Sequence, residues 1–252
     1  MNNRILAIIV LFFAVTSCQL EVPVNFSSES FTEASFEVCK TISCPELTIN
    51  YVEAMDDTKA SERINEAIKK HIITALHIGD DSISKAKTIS EAASEFIKTY
   101  RLHSAEFPDM SAEYFAEINI VESYRSPKMT SIEMRDYLYT GGAHGYGHVT
   151  FLNVRSKNGA EITSEELLKN REAFTTFAET KFREAHSIPK NESINSTGFW
   201  FEDEKFALPE TIGFTKDTLL LLYNQYEIAS YADGPIELSI PLDEAAPFLA
   251  IK

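Results

Sequence analysis

Apolar residues recur every four positions between Asp56 and His77, where Ile64, Ile68, Ile72 and Leu76 share one face. That period predicts an amphipathic helix. Asp56 and Asp57 stand at its start, where carboxylates suit the positive end of the helix dipole. Gly79-Asp80-Asp81-Ser82 breaks it. A second helix opens at Thr88, with Glu91 three residues on in the form of a capping box, and buries Ile89, Ala93, Phe96, Ile97 and Tyr100. The period then changes to two. Tyr114, Ala116, Ile118 and Ile120 alternate with Phe115, Glu117, Asn119 and Val121, a strand pattern ended by Ser126-Pro127. Met129 to Tyr139 and His148 to Val154 read as two further strands, the second closed by the turn signal Asn158-Gly159. An antiparallel meander is expected from the three.

Thr163 and Glu166 have the spacing of another capping box, and the helix expected after them places Leu167, Phe174, Phe177, Ala178 and Phe182 on one face. A polar loop covers Asn191 to Gly198, followed by the aromatic cluster Phe199-Trp200-Phe201. Leu219 to Tyr223 and Ile236 to Ile240 read as the last strands. Ahead of the first helix, Ser35 to Val38 and Leu47 to Val52 are β-rich runs that predict a hairpin. Helices mixed with antiparallel strands indicate an α+β fold. The expected organisation is two small mixed domains, 34–155 and 156–252, each an antiparallel sheet packed by helices.

The first residues follow a different rule. Arg4 precedes an apolar run from Ile5 to Val15, and Val15-Thr16-Ser17-Cys18 follows. The run is about half of the roughly 20 residues a membrane-spanning helix needs. It reads as a secretory signal over 1–17. Its ending resembles a bacterial lipobox, in which cleavage before Cys18 frees the thiol for a lipid anchor. Residues 18–33, with Ser27-Ser28-Glu29-Ser30, are expected to form a flexible tether. The chain would then face the periplasm or exterior as a membrane-anchored lipoprotein of the cell envelope.

Charge narrows the partners. The chain has 23 basic and 38 acidic residues and a net charge of −15. That balance excludes nucleic acid, whose phosphates require clustered Lys and Arg. It leaves cationic partners as the electrostatic fit. With Cys18 acylated, Cys39 and Cys44 remain as an even pair, and a local disulfide is expected in an exported protein.

Two segments are distinctive. One is Tyr139-Thr140-Gly141-Gly142-Ala143-His144-Gly145. The other runs from Phe214 through Tyr223-Asn224-Gln225-Tyr226-Glu227-Ile228-Ala229-Ser230-Tyr231-Ala232-Asp233-Gly234-Pro235 to Pro241. In this order they resemble the PdaC/RsiV-like family of bacterial envelope proteins, over roughly residues 34 to 250. The family pairs two domains of unknown function and ends in a signature of the type YNPYEIAPYAxGP. Gln225 and Ser230 stand where that pattern has Pro. The resemblance implies domains found outside the catalytic module of a peptidoglycan deacetylase, and in the extracellular part of an anti-sigma factor that binds lysozyme. With only Met1 to Arg4 ahead of the apolar run and Lys252 last, the expectation is the extracellular recognition part alone.

The chemistry these segments could carry is limited. Tyr139, Gly141, Gly142, His144, His148, Tyr226 and Tyr231 are the candidate ligand-binding residues, since glycines let a ligand approach main-chain N–H groups. A plain turn between two strands is the simpler reading and carries more weight. His144 and His148 lack a third ligand at matching spacing, so no metal or other cofactor is expected. His71, His77, His103 and His186 read as surface or helix-end residues. Tyr223, Tyr226, Tyr231 and Trp200 form either a recognition patch or core, with core favoured. No Gly-x-Ser-x-Gly elbow or phosphate loop is present. A non-catalytic module recognising lysozyme, another cationic envelope protein or peptidoglycan is the leading expectation. A cell-wall glycan enzyme built on the His144 loop is the alternative.

Overall fold

The structure is a computed structural model that describes residues 24–79, 83–108 and 112–251. The secretory signal, Cys18 and the first part of the tether lie outside the described residues. The first sheet has the order β1-β2-β3-β4-β5, with β1 Phe26–Thr32, β2 Glu46–Ala54, β3 Phe115–Arg125, β4 Met129–Tyr139 and β5 Tyr146–Arg155. The second has the order β6-β7-β8, with β6 Thr211–Phe214, β7 Thr218–Tyr223 and β8 Ile236–Pro241. Helices α1 Lys59–Ala75 and α2 Ile89–Glu106 belong to the first layer. The one-turn α3 Ser164–Leu167, α4 Arg171–Ala185 and one-turn α5 Leu242–Ala245 belong to the second.

Local chemistry sets these boundaries. The Thr58 hydroxyl accepts the Ser61 N–H at 3.1 Å and starts α1. Its Ile64, Ile68 and Ile72 are buried, as the four-residue period requires. At α2 the Thr88 hydroxyl accepts from the Glu91 N–H, while the Glu91 carboxylate accepts from Lys87 rather than from Thr88. The Thr163/Glu166 box is reciprocal, each side chain accepting from the other's backbone N–H. The helix expected behind it is two helices: α3 stops at Leu167, and Asn170 caps α4 by accepting from the Ala173 N–H.

Three strand expectations need correction. The tether is not flexible throughout: β1 pairs antiparallel with β2 from Phe26↔Ala54 to Thr32↔Thr48. Phe26 and Phe31 pack against the first core, which repays a serine-rich strand for its low intrinsic propensity. The first domain therefore begins well before residue 34. Ser35–Val38 is not a strand. Residues Glu33–Ser35 and Glu37–Lys40 form two 3-10 turns, because this stretch is the connection between β1 and β2. The Cys39–Cys44 disulfide closes within that connection, with Cα atoms 5.4 Å apart. Finally, β2 and β3 run parallel. A parallel pair needs a crossover, and α1 with α2 supplies it. β3, β4 and β5 form the expected antiparallel meander.

Two cores result. Leu47, Ile49, Ile68, Ile72, Phe96, Ile118, Ile132 and Leu152 fill the space between the first sheet and its helices. Phe174, Phe182, Phe214, Leu219, Leu221, Tyr223 and Ile240 fill the second. β7 explains its own unbroken apolar run. Leu219, Leu221 and Tyr223 face the second core, while Leu220 and Leu222 meet Val149 and Phe151 of β5. Both faces of the strand are covered, so no polar alternation survives. Gly213 permits this contact, since a Cβ there would fall inside the Phe151 ring.

Candidate functional site

The two distinctive segments lie against each other. Tyr139 ends β4, and its hydroxyl donates to the Gly142 carbonyl at 3.1 Å. Gly141 (φ 93°) and Gly142 (φ 98°) occupy backbone conformations that side chains disfavour, so the turn depends on glycine. At Gly145 a Cβ would collide with the Tyr137 ring.

From the other side comes the segment after β7. The Asn224 side chain accepts the Val149 N–H at 2.8 Å and donates to the Val149 carbonyl at 2.9 Å. It thereby copies a neighbouring strand along the outer edge of β5. Gln225 Oε1 accepts from the Gly147 N–H at 3.4 Å, a bond that proline at this position could not make. The Tyr231 hydroxyl donates to the Gly145 carbonyl at 2.8 Å. The His144 ring stacks on Tyr231 at 3.7 Å between centroids, and its Nδ1 lies 2.9 Å from the same carbonyl. A carbonyl can only accept, so Nδ1 carries the proton. Tyr226 lies 5.8 Å from Tyr231, with φ 68° and 53% of its surface exposed.

Tyr139, Gly141, Gly142, His144, Tyr226 and Tyr231 are thus brought together. His148 is not. It pairs across the strands with Asp136, on the face of β4 and β5 that looks toward α1. Burial pushes its imidazole below the ordinary range, the Asp136 carboxylate opposes that shift, and His71 adds to it. The core reading of the aromatics holds for Tyr223 alone: it is buried, its hydroxyl donates to the Ala207 carbonyl at 2.7 Å, and burial pushes its phenol far up. Trp200, at 47% exposure, joins Tyr226 at the surface, and its backbone N–H donates to the Ile228 carbonyl. Next to it Glu202, Asp203 and Glu204 are exposed.

His71 is the residue whose placement was read wrongly as surface. It lies on α1 with Nε2 3.0 Å and 2.9 Å from the two oxygens of Asp136, which is itself buried. The signal was available in β4, where Asp136 interrupts the face formed by Ile132, Met134 and Leu138. Among the described residues, no three His, Cys, Asp or Glu side chains are arranged to hold a metal ion. Among them too, no helix is long and apolar enough to cross a membrane.

Residues 38–146 match the family model described as "Deacetylase PdaC", and residues 160–243 match "Protein of unknown function (DUF3298)". The chain pairs a PdaC domain with a DUF3298 domain. A DUF3298 family member from Bacteroides fragilis shares 22% identity over 90% of this chain and 94% of its own, with a TM-score of 0.69. A second, from Pseudomonas aeruginosa, shares 17% over 91% and 96%, with a TM-score of 0.61. Both relatives establish the fold. A comparison with curated proteins finds no match. The PdaC–DUF3298 pairing marks an envelope-associated protein. The PdaC match ends at Tyr146, so most of β5, which receives the DUF3298 segment along its edge, lies between the two matched regions.

Proposed function

We propose that this PdaC–DUF3298 protein is a lipid-anchored, non-catalytic recognition module of the cell envelope that binds a cationic protein such as lysozyme. The observation that carries the reading is the domain junction. Tyr226 and Trp200 stand exposed beside a segment whose every other aromatic is docked, and the exposed Glu202, Asp203 and Glu204 follow Trp200 on a chain of net charge −15. Exposed Tyr and Trp supply contact area at low entropic cost, and negative charge steers a basic partner toward them. The lipobox at Val15 to Cys18 and the Cys39–Cys44 disulfide support an anchored, oxidising location. The stacking of His144 on Tyr231, with His148 on the strand face opposite Asp136, supports recognition ahead of the glycan-acting alternative.

The test is a binding titration of the signal-free chain against lysozyme at low and physiological salt. Binding that weakens with salt, and that drops about tenfold or more in Tyr226→Ala, is expected. No binding at low salt refutes the partner. Palmitate labelling that survives Cys18→Ala refutes the anchor.

A further inference from the structure

The first sheet ends on two edge strands, β1 and β5, and only one of them is covered. Asn224 occupies the outer edge of β5 at Val149. On β1 the outward groups follow from the phase of its ladder. The Met55 N–H donates to the Asn25 carbonyl, one step before the pair Phe26↔Ala54. Opposed residues of an antiparallel pair alternate between bonded and non-bonded. Ser27, Glu29 and Phe31 therefore bond to β2, while Phe26, Ser28, Ser30 and Thr32 turn their N–H and C=O groups outward. Ala54 has the same phase seen from β2: its N–H and carbonyl go to the Asn65 side chain, at 2.8 Å and 3.0 Å, and not to β1. Among the described residues, no hydrogen bond reaches the outward main-chain groups of β1. The strand has neither lysine nor proline, and its seven residues pair without a bulge. Those are the devices that keep an edge from recruiting another strand.

We propose that β1 docks an extended basic segment of a partner protein, which joins the five-stranded sheet as an added strand. Charge selects this occupant. Glu29 is directly opposite Tyr51 on β2. Tyr51 and Glu53 line a groove of about 350 Å³ beside α1, with Glu62 and Glu66 of that helix. Burial first, then Glu53 and Glu29, push the Tyr51 phenol up, which sets both carboxylates near its ring. Lys69 also lines the groove and is paired with Glu66. Among the described residues, Glu29, Glu53 and Glu62 have no cation paired with them, so a Lys or Arg of the added strand finds carboxylates within reach. A second copy of this chain fits worse. The register that uses all four outward residues, Phe26 with Thr32 and Ser28 with Ser30, sets the two Glu29 side chains opposite each other, where like charges destabilise. A basic strand turns the same residue into an attraction, so Glu29 discriminates between the two occupants. Main-chain bonds supply the affinity and alternate side chains the specificity. This edge shares no residue with the junction surface at Trp200 and Tyr226, and the two surfaces act independently.

The probe is a fluorescent synthetic peptide alternating Lys and Val, with a Glu and Val peptide as control, titrated by anisotropy into the signal-free chain carrying Cys18→Ala. The basic peptide should bind at low salt and weaken as salt rises, and the acidic one should not bind. Ser28→Pro removes an outward donor but no bond to β2, at an edge position that tolerates proline, and should weaken binding about tenfold or more with an unchanged circular dichroism spectrum. Glu29→Lys should weaken it about tenfold. Should Ser28→Pro fail to fold, amide exchange of the unsubstituted strand decides: bound peptide should slow Phe26, Ser28, Ser30 and Thr32 about tenfold or more. No binding of the basic peptide at low salt would overturn the proposal. So would binding that is unchanged in folded Ser28→Pro, or protection that appears elsewhere and not on β1. A dimer that protects the same four amides without peptide would assign the edge to a second copy and overturn it too.

Discussion

Asn224→Ala is the sharpest probe of how the two domains are joined. The side chain satisfies the Val149 N–H at 2.8 Å and the Val149 carbonyl at 2.9 Å, and lies 3.4 Å from Thr211 Oγ1. Val149 is buried at 4% exposure, so water does not replace what alanine removes. The carbonyl keeps the Thr211 hydroxyl at 3.4 Å. The N–H keeps nothing, and an unsatisfied buried donor costs about 1–3 kcal/mol. Adding the lost bond to the carbonyl, at about 1 kcal/mol, the variant should lose about 2–4 kcal/mol. For a chain of this size that lowers Tm by about 4–16 °C. Urea unfolding followed by far-UV circular dichroism and by Trp200 fluorescence checks it. Trp200 reports the DUF3298 domain, so a separation of the two transitions would show that the domains have uncoupled. A change below about 0.5 kcal/mol would refute the argument that Asn224 substitutes for a neighbouring strand, since surface substitutions fall in that range.

Gly213→Ala should destabilise by about 1–3 kcal/mol through collision with the Phe151 ring, and Phe151→Leu in the same chain should recover part of it, read as the coupling in a double-mutant cycle. His186 lies 4.3 Å from the Phe182 ring and 4.8 Å from that of Phe199, with Nε2 buried and unpartnered and its imidazole pushed down by burial. Its unfolded form takes a proton below about 6.5 and the folded form resists, so stability should fall as pH drops through that window, and His186→Phe should flatten the fall in urea midpoints between pH 7.5 and 5.5. The Asp56, Glu165 and Glu166 carboxyls, held low mainly by backbone hydrogen bonds, lose their contribution only at lower pH, as they protonate. Reducing the Cys39–Cys44 bridge should remove about 2 kcal/mol or less, because the residues are only five apart, and comparison of urea midpoints with and without reductant measures it.

Periodic segments were legible in the amino-acid pattern, and context-dependent ones were not. The four-residue spacing of Ile64 to Leu76 and the alternation before Ser126 located α1 and β3, because each buries one face only. β1 was illegible because its serines carry no apolar signal, and its register comes from β2. β6 was missed because Thr211–Phe214 is four residues long and buried throughout, leaving nothing to alternate. The break between α3 and α4 is fixed by Asn170, whose capping role competes with the apolar stripe running past it. At the junction, motif spacing identified His144 and Tyr231 but could not pair them. Their stacking depends on Asn224 seating one segment on the other, across 75 residues of chain.

The second core closes with the last residues of the chain. Phe248 stacks on Phe177 at 4.8 Å, Leu249 pairs with Leu168, and the Ala250 N–H donates to the Leu167 carbonyl. Fraying of residues 248–250 would bare the Phe174 and Phe177 rings while the PdaC layer keeps all of its strands, so the molecule can open an aromatic face at one end without loosening the other.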